Sequence, residues 1–297
     1  MKNVFIIGGT TFDHIVTLNE FPQPVPQTIH HAPFYEATGS TGAGKALCLE
    51  KLGVSNVLYS VLGDDEYGKR IINHLASENV NFVFDFDPKG TERHINIMNA
   101  NGERISMFIT QSSGKPDISF EKVEQEVKNA DIIVLNIISY CKEIIPVLPV
   151  GHKPVWTDLH DYTDGNEYHE PFIEASDYIF LSSDNLDDYQ KTMINLMERG
   201  KELVVCTHGK KGATALTKNS EWITEKALTD FDLADSNGAG DNFFSGFLYA
   251  FINGMSVRES MRYGAICGAE CITSKQLVSD RLNQKLLESL YRKYYTV

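Results

Sequence analysis

One short stretch gathers the residues best able to do chemistry: Asp235-Ser236-Asn237-Gly238-Ala239-Gly240-Asp241-Asn242-Phe243-Phe244. Behind it Phe243, Phe244, Phe247, Leu248, Phe251, Ile252 and Met255 recur at helical spacing. Gly238, Ala239 and Gly240 therefore fall where a loop becomes a helix, and Asp241 falls in its first turn. Small residues let the backbone approach a ligand, and the unpaired N–H groups of a first turn point outward at it. The local field favours an anion such as a phosphate. Asp241 is the one anion placed inside this anion site, which suits a base that takes a proton from a hydroxyl as it attacks a phosphoryl group. The amides of Asn237 to Gly240 would stabilise charge on that group. The plainer reading of Gly-Ala-Gly-Asp alone is an acidic first turn favoured by the helix dipole. A dinucleotide fingerprint does not fit, because Phe243 stands where the third glycine of G-x-G-x-x-G belongs.

A second glycine stretch competes for the phosphate. Residues 39–46, Gly-Ser-Thr-Gly-Ala-Gly-Lys-Ala, read as G-x-x-x-x-G-K with Ala46 where a P-loop needs Ser or Thr to ligate magnesium. The glycines and Lys45 could cradle phosphates in a P-loop hydrolase or kinase. Against this, the hydroxyl is missing, and the preceding TIHHAPFYEAT is polar and interrupted by proline rather than a buried strand. A glycine turn capping the helix KALCLEKL is the commoner outcome.

The elements that must position these residues alternate. Val4 to Ile7 reads as a buried strand ending at Gly8-Gly9, with Asp13 just beyond it. NVLYSVLG, DIIVLNI, PVWTDL, YIFL and ELVVCT are further strands, separated by helices such as EKVEQEVKNA. Such alternation implies an α/β fold with a doubly wound, mostly parallel sheet flanked by helices. Ligands then bind at the carboxyl ends of the strands, where Asp13, Asp158, Gly209 and the Gly-Ala-Gly-Asp loop would lie. Two pieces break the alternation. Residues 14–38 carry Pro22, Pro24, Pro26 and Pro33, and residues 91–110 read as a hairpin around Asn101-Gly102. They are expected to form a small β-sheet lid on one domain spanning 1–297.

Composition narrows the classes. The 297 residues carry 27 Lys and Arg against 40 Asp and Glu, a net charge of −13, which argues against a nucleic-acid partner. The five cysteines include no C-x-x-C pair and read as buried thiols in a reducing compartment. The apolar run at the N-terminus is too short for a signal peptide, and no segment has the length to span a membrane. A cytoplasmic protein is expected. The nine histidines show no ligand spacing, so no zinc site is expected.

Asp-Ser-x-Gly-Ala-Gly-Asp near the end of such a chain resembles the signature of the ribokinase-like carbohydrate kinases, the PfkB family. The resemblance extends over nearly the whole chain. Gly9 to Asp13 resembles the first strand and substrate-binding aspartate, Gly63 to Gly68 the Gly-x-Asp-x-x-Gly turn, and Asn101 to Arg104 the lid hairpin. Thr207 to Ala213, with Gly209 and Gly212, resembles the loop lining the ATP site, and Gly264, Cys267 and Gly268 the wall of the adenine pocket. That helix and the Asp235 stretch look like ketohexokinase. The resemblance implies ATP and Mg2+, with a monovalent cation as a further candidate. It implies an acceptor held by Asp13 and the stretch Gly39, Ser40, Gly44 and Lys45, with Gly44 standing where the family has an asparagine. The family's Asn-x-x-Glu is replaced here by Ser182 and Asn185; Asp184 is then the acid expected to organise magnesium through water, unless DNLDD is only a solvated helix start. The function implied is phosphorylation of a hydroxyl, a primary CH2OH, on a small sugar. A nucleoside kinase and a binding module that has lost catalysis are the alternatives, and a homodimer through the lid strands would hide their edges.

Overall fold

The structure, a computed structural model, describes residues 2–149 and 151–296. Strand β1 (Val4–Ile7) is four buried apolar residues, a composition that suits a sheet covered on both faces. It leads into β2 (Thr11–Thr17), a proline-rich irregular stretch, and β3 (Phe34–Gly39). Helix α1 (Thr41–Lys51) returns the chain to β4 (Asn56–Leu62), and α2 (Glu66–Ser77) returns it to β5 (Asn81–Phe86). The hairpin β6 (Arg93–Met98) and β7 (Arg104–Thr110) follows. Then come α3 (Phe120–Asn129), β8 (Ile132–Asn136), the short α4 (Cys141–Ile144), β9 (Val155–Asp158), α5 (Glu170–Ala175), β10 (Tyr178–Ser182), α6 (Tyr189–Glu198) and β11 (Leu203–Thr207). The chain ends with β12 (Ala213–Thr217), β13 (Trp222–Glu225), α7 (Ala239–Ile252), α8 (Val257–Cys271) and α9 (Gln284–Tyr295).

The large sheet runs β13-β12-β11-β10-β9-β8-β1-β4-β5, parallel except for β12, which is antiparallel to both its neighbours. Alternate residues of β1 feed two cores. Val4 and Ile6 pack with α1, α7 and α8, while Phe5 and Ile7 pack with α3 and α5 on the opposite face. The chain winds outward from β1 in both directions, so the crevice for ligands opens at the carboxyl end of β1 beside β8. Among the described residues no helix is long and apolar enough to cross a membrane.

The small sheet runs β3-β2-β6-β7, with β2 and β6 parallel and both outer pairs antiparallel. Its first strand begins at Thr11, earlier than the expected 14–38, so Asp13 lies inside the small sheet. The second difference lies in α1. It starts at Thr41, so Gly42, Gly44 and Lys45 are helical and no glycine-rich turn precedes KALCLEKL. Ser40 alone makes the bend, at φ 76°. Gly42 explains this: a side chain there would stand 2.6 Å from the Gly9 carbonyl oxygen, so the glycine lets α1 lie directly on the end of β1.

Candidate active site

The first turn of α7 is shaped by Gly238, which adopts the left-handed region at φ 81° with the carbonyl of Leu277 2.8 Å from where a Cβ would sit. Only glycine fits both conditions. After this bend the N–H groups of Gly238, Gly240 and Asp241 have no hydrogen-bond partner among the described residues. Gly240 is exposed, with nothing within 4 Å of a would-be Cβ. Two of the amides expected to act here are already committed. Asn237 N–H donates to Asp235 Oδ1 at 2.8 Å, and Ala239 N–H to the Ser236 carbonyl at 3.3 Å. The cradle is thus Gly238, Gly240 and Asp241, one residue further along the helix than the sequence suggests.

Asp241 is 8 % exposed and borders this cradle. Its Oδ1 accepts a hydrogen bond from Lys45 Nζ, and its other oxygen lies over Gly44, where an added Cβ would come within 3.2 Å. Lys45 therefore does not face an acceptor or a nucleotide. It is wholly buried, paired with Asp241 and, at 3.4 Å, with Asp158 Oδ2. This corrects both its substrate-binding reading and the P-loop reading, which needs the glycines in a loop. Burial alone would push the Lys45 ammonium down; Asp241 and Asp158 outweigh it and hold the pKa above the usual lysine value. Burial likewise pushes Asp158 up, but His160 and Lys45 bring it below the usual carboxylate range.

Just before α1, Asp13 projects from β2 over Gly39, whose missing side chain leaves room for the carboxylate. Thr11 Oγ1 donates to Asp13 Oδ1 at 2.7 Å, Asn96 Nδ2 donates to Oδ2 at 3.0 Å, and His94 Nδ1 lies 3.6 Å away. Burial nonetheless raises the Asp13 pKa above its ordinary value, against the pull of these groups. Gly39 and Gly44 flank the bend at Ser40, so Asp13 and Asp241 border the two ends of one short stretch of backbone. Asn96, Ser106 (2.7 Å from Asn96 Oδ1) and Thr11 were missed from sequence, although the alternation of β6 sets His94 and Asn96 on one face. The small sheet is also tied to the cradle. Tyr35 Oη donates to Asp235 Oδ2 at 2.7 Å, Ser236 Oγ to the Gly102 carbonyl at 2.6 Å, and Arg104 to Asn237 Oδ1.

A buried carboxylate beside helix N–H groups that are free among the described residues, with a second buried carboxylate on the small sheet, is the geometry on which known proteins can be compared. The chain matches the pfkB family carbohydrate kinase description over residues 1–146 and 172–283. The chain belongs to that family. It is 30% identical over 275 residues to the acarbose 7(IV)-phosphotransferase of Actinoplanes sp., covering 91% of this chain and 92% of that one. Among solved structures, a microbiome-derived acarbose kinase superposes with a TM-score of 0.88 at 24% identity, over 97% and 98% of the two chains. Arabidopsis thaliana ribokinase complexed with ribose and ATP superposes with a TM-score of 0.77 at 19% identity, over 97% and 98%. Those two likenesses bear on the fold, which is ribokinase-like. Membership makes the protein an ATP-dependent sugar kinase.

The residues expected to line a nucleotide in this PfkB kinase lie partly along β10 and β11. Ser182 pairs with Thr207, and Ser183 N–H donates to the Thr207 carbonyl at 2.9 Å, so exposed Asp184 and half-buried Thr207 stand at neighbouring strand ends. Gly209 and Gly212 frame the turn into β12. His208, not foreseen, anchors the edge through Ser183 Oγ at 2.9 Å and Thr214 Oγ1 at 3.1 Å. The α8 residues differ from expectation. Gly264 and Gly268 face Phe243 and Ala239 of α7, and Cys267 is fully buried against Gly246. They are small because two helices must close on each other, and only Gly268 keeps any surface for a nucleotide. Among the described residues no group of three or more His, Cys, Asp or Glu is arranged to hold a metal. A lone exposed Asp184 fits magnesium carried by phosphates and waters, which is how that ion is commonly bound in such enzymes.

Proposed function

We propose that this kinase transfers the γ-phosphoryl group of ATP to a primary hydroxyl of a sugar held by Asp13, with Asp241 as the base. The observation that supports it is the Asp241 carboxylate beside three N–H groups that have no partner among the described residues. The acceptor oxygen attacks phosphorus, its proton passes to Asp241, and the bond from phosphorus to the ADP oxygen breaks. Gly238, Gly240 and Asp241 N–H would stabilise charge on the γ-oxygens through the transfer. Magnesium, when bound, would neutralise the phosphates, with Asp184 holding one of its waters. Asp235 has each of its oxygens held by Asn237 or Tyr35, and no step here depends on a monovalent cation. The small sheet closes over the site as a lid of the same domain, its contacts at Tyr35, Gly102 and Arg104 excluding water.

For the acceptor, an oligosaccharide is favoured over a free pentose. Phe108, 55 % exposed, lies with its ring centroid 3.9 Å from that of His94, the neighbour of Asp13, and offers a flat apolar face to a second sugar ring. The Actinoplanes relative, named for acarbose, points the same way. ADP release measured with acarbose, ribose, fructose, sugar acids and adenosine tests this. Turnover is expected with a carbohydrate, and highest with the oligosaccharide. Turnover with adenosine alone would move the assignment to a nucleoside kinase, and none across the panel to a binding module.

Among the described residues neither outer strand of the lid has a second strand partner, and β7 exposes Ile105, Met107 and Ile109. Two copies pairing lid to lid would cover them. Sedimentation equilibrium should then return twice the chain mass; a single-chain mass at micromolar concentration contradicts the pairing.

A further inference from the structure

The ion triad of Lys45, Asp241 and Asp158 joins elements far apart in sequence. It includes a lysine with no exposed surface, so its charge is compensated entirely from within. Nζ reaches Asp241 Oδ1 and Asp158 Oδ2 and stands 5.0 Å from the centre of the Phe244 ring. A buried ammonium is costly unless paired, and a hydrophobic residue of similar length would fill the same space without that cost. The position of Lys45 against the reacting carboxylate suggests a use.

We propose that Lys45 is a positioning residue for the phosphoryl transfer, with Asp158 as the alternate partner for its charge. This rests on Asp241 being the base. Before transfer, Lys45 holds Oδ1 of Asp241, fixing the rotamer and leaving Oδ2 over Gly44 to meet the acceptor hydroxyl. Together two carboxylates and one ammonium carry a single negative charge, which moderates repulsion between the base and the incoming triphosphate. As the acceptor O–H bond breaks and its proton moves to Asp241, the negative charge of that carboxyl is lost. Lys45 then turns its hydrogen bonding to Asp158, which stays ionised, so the ammonium is never left unpaired. Asp158 is kept ready by the His160 N–H at 3.0 Å on Oδ1. Gly44 belongs to the same device, because a longer residue would press on Asp241 and displace Oδ2.

The titratable groups around Asp241 are Lys45 and Cys48 on α1, Asp158 and His160 at the end of β9, and Cys271 on α8. Lys45→Met and Asp158→Asn change this set in opposite directions. The full-length kinase carrying Lys45→Met should lose about 100-fold or more in kcat, with both KM values within about threefold. The acid side of its kcat profile should move to higher pH, and Lys45→Arg should recover part of the loss. Asp158→Asn leaves Lys45 to Asp241 alone; kcat should fall about tenfold and the acid side move to lower pH. Structural damage does not produce opposite shifts. If Lys45→Met does not fold, the Asp158→Asn shift alone decides. Unchanged kcat in Lys45→Met, or acid limbs that do not move or move together, would overturn the proposal. An inactive Asp241→Asn beside a fully active Lys45→Met would remove Lys45 from the mechanism while leaving the kinase reading intact. A parent enzyme without turnover would instead remove the reading on which it rests.

Discussion

Asp241→Asn lowers kcat by a factor of several hundred or more, with ATP and acceptor KM changed by less than about threefold. The amide has the same size, so the cradle of Gly238, Gly240 and residue 241 N–H survives and the ligands still bind. What is lost is the site that receives the acceptor proton. The size of the drop is that of a base whose action is confined to the transition state. Lys45 would keep Asp158 as a charged partner, so the variant should remain folded. Single-turnover phosphoryl transfer, together with binding of ATP by calorimetry, measures the two halves separately. Weakened ATP binding with kcat preserved would mean that the carboxylate serves the nucleotide instead.

The second large effect is expected at Asp13. Two hydrogen bonds from sugar hydroxyls to a buried carboxylate contribute about 1.5–3 kcal/mol each. Asp13→Ala should therefore raise the acceptor KM by about 100-fold or more while the ATP KM stays near the parent value. Stability should respond in its own way. Burial raises the folded-state pKa of Asp13, so its contribution to stability is greatest when protonated and falls as pH rises through the carboxylate range. The melting temperature of Asp13→Ala relative to the parent should thus improve from acid to neutral pH. Thermal melts across that range check the sign, and initial rates with varied acceptor check the KM. A change confined to the ATP KM would place Asp13 outside the acceptor site.

Much of this was legible in the chain itself. Gly-Ala-Gly-Asp ahead of an apolar helical repeat is a local pattern, and it placed the start of α7 and its carboxylate correctly. The alternation of strands and helices gave the parallel sheet for the same reason, since each βαβ unit is written in contiguous residues. The donors of the cradle were shifted by one because they depend on the left-handed bend of Gly238, a dihedral that no spacing encodes. Lys45 was misread for a stronger reason. Its environment is made by Asp158 and Asp241, more than a hundred residues downstream, while Gly42 seats α1 on Gly9. G-x-x-x-x-G-K looks the same whether it wraps a phosphate or packs a helix. Gly264, Cys267 and Gly268 show the same ambiguity, because small residues serve close helix packing and ligand approach equally well.

A crystal structure of the kinase with a non-hydrolysable ATP analogue, magnesium and a turned-over acceptor tests the arrangement most directly. The account predicts γ-phosphate oxygens about 3 Å from the N–H groups of Gly238, Gly240 and Asp241, and the acceptor hydroxyl about 3 Å from the Asp241 carboxylate. A γ-phosphate seated at Gly42 to Lys45, or an acceptor hydroxyl that approaches phosphorus with no carboxylate of Asp241 in reach, would contradict it.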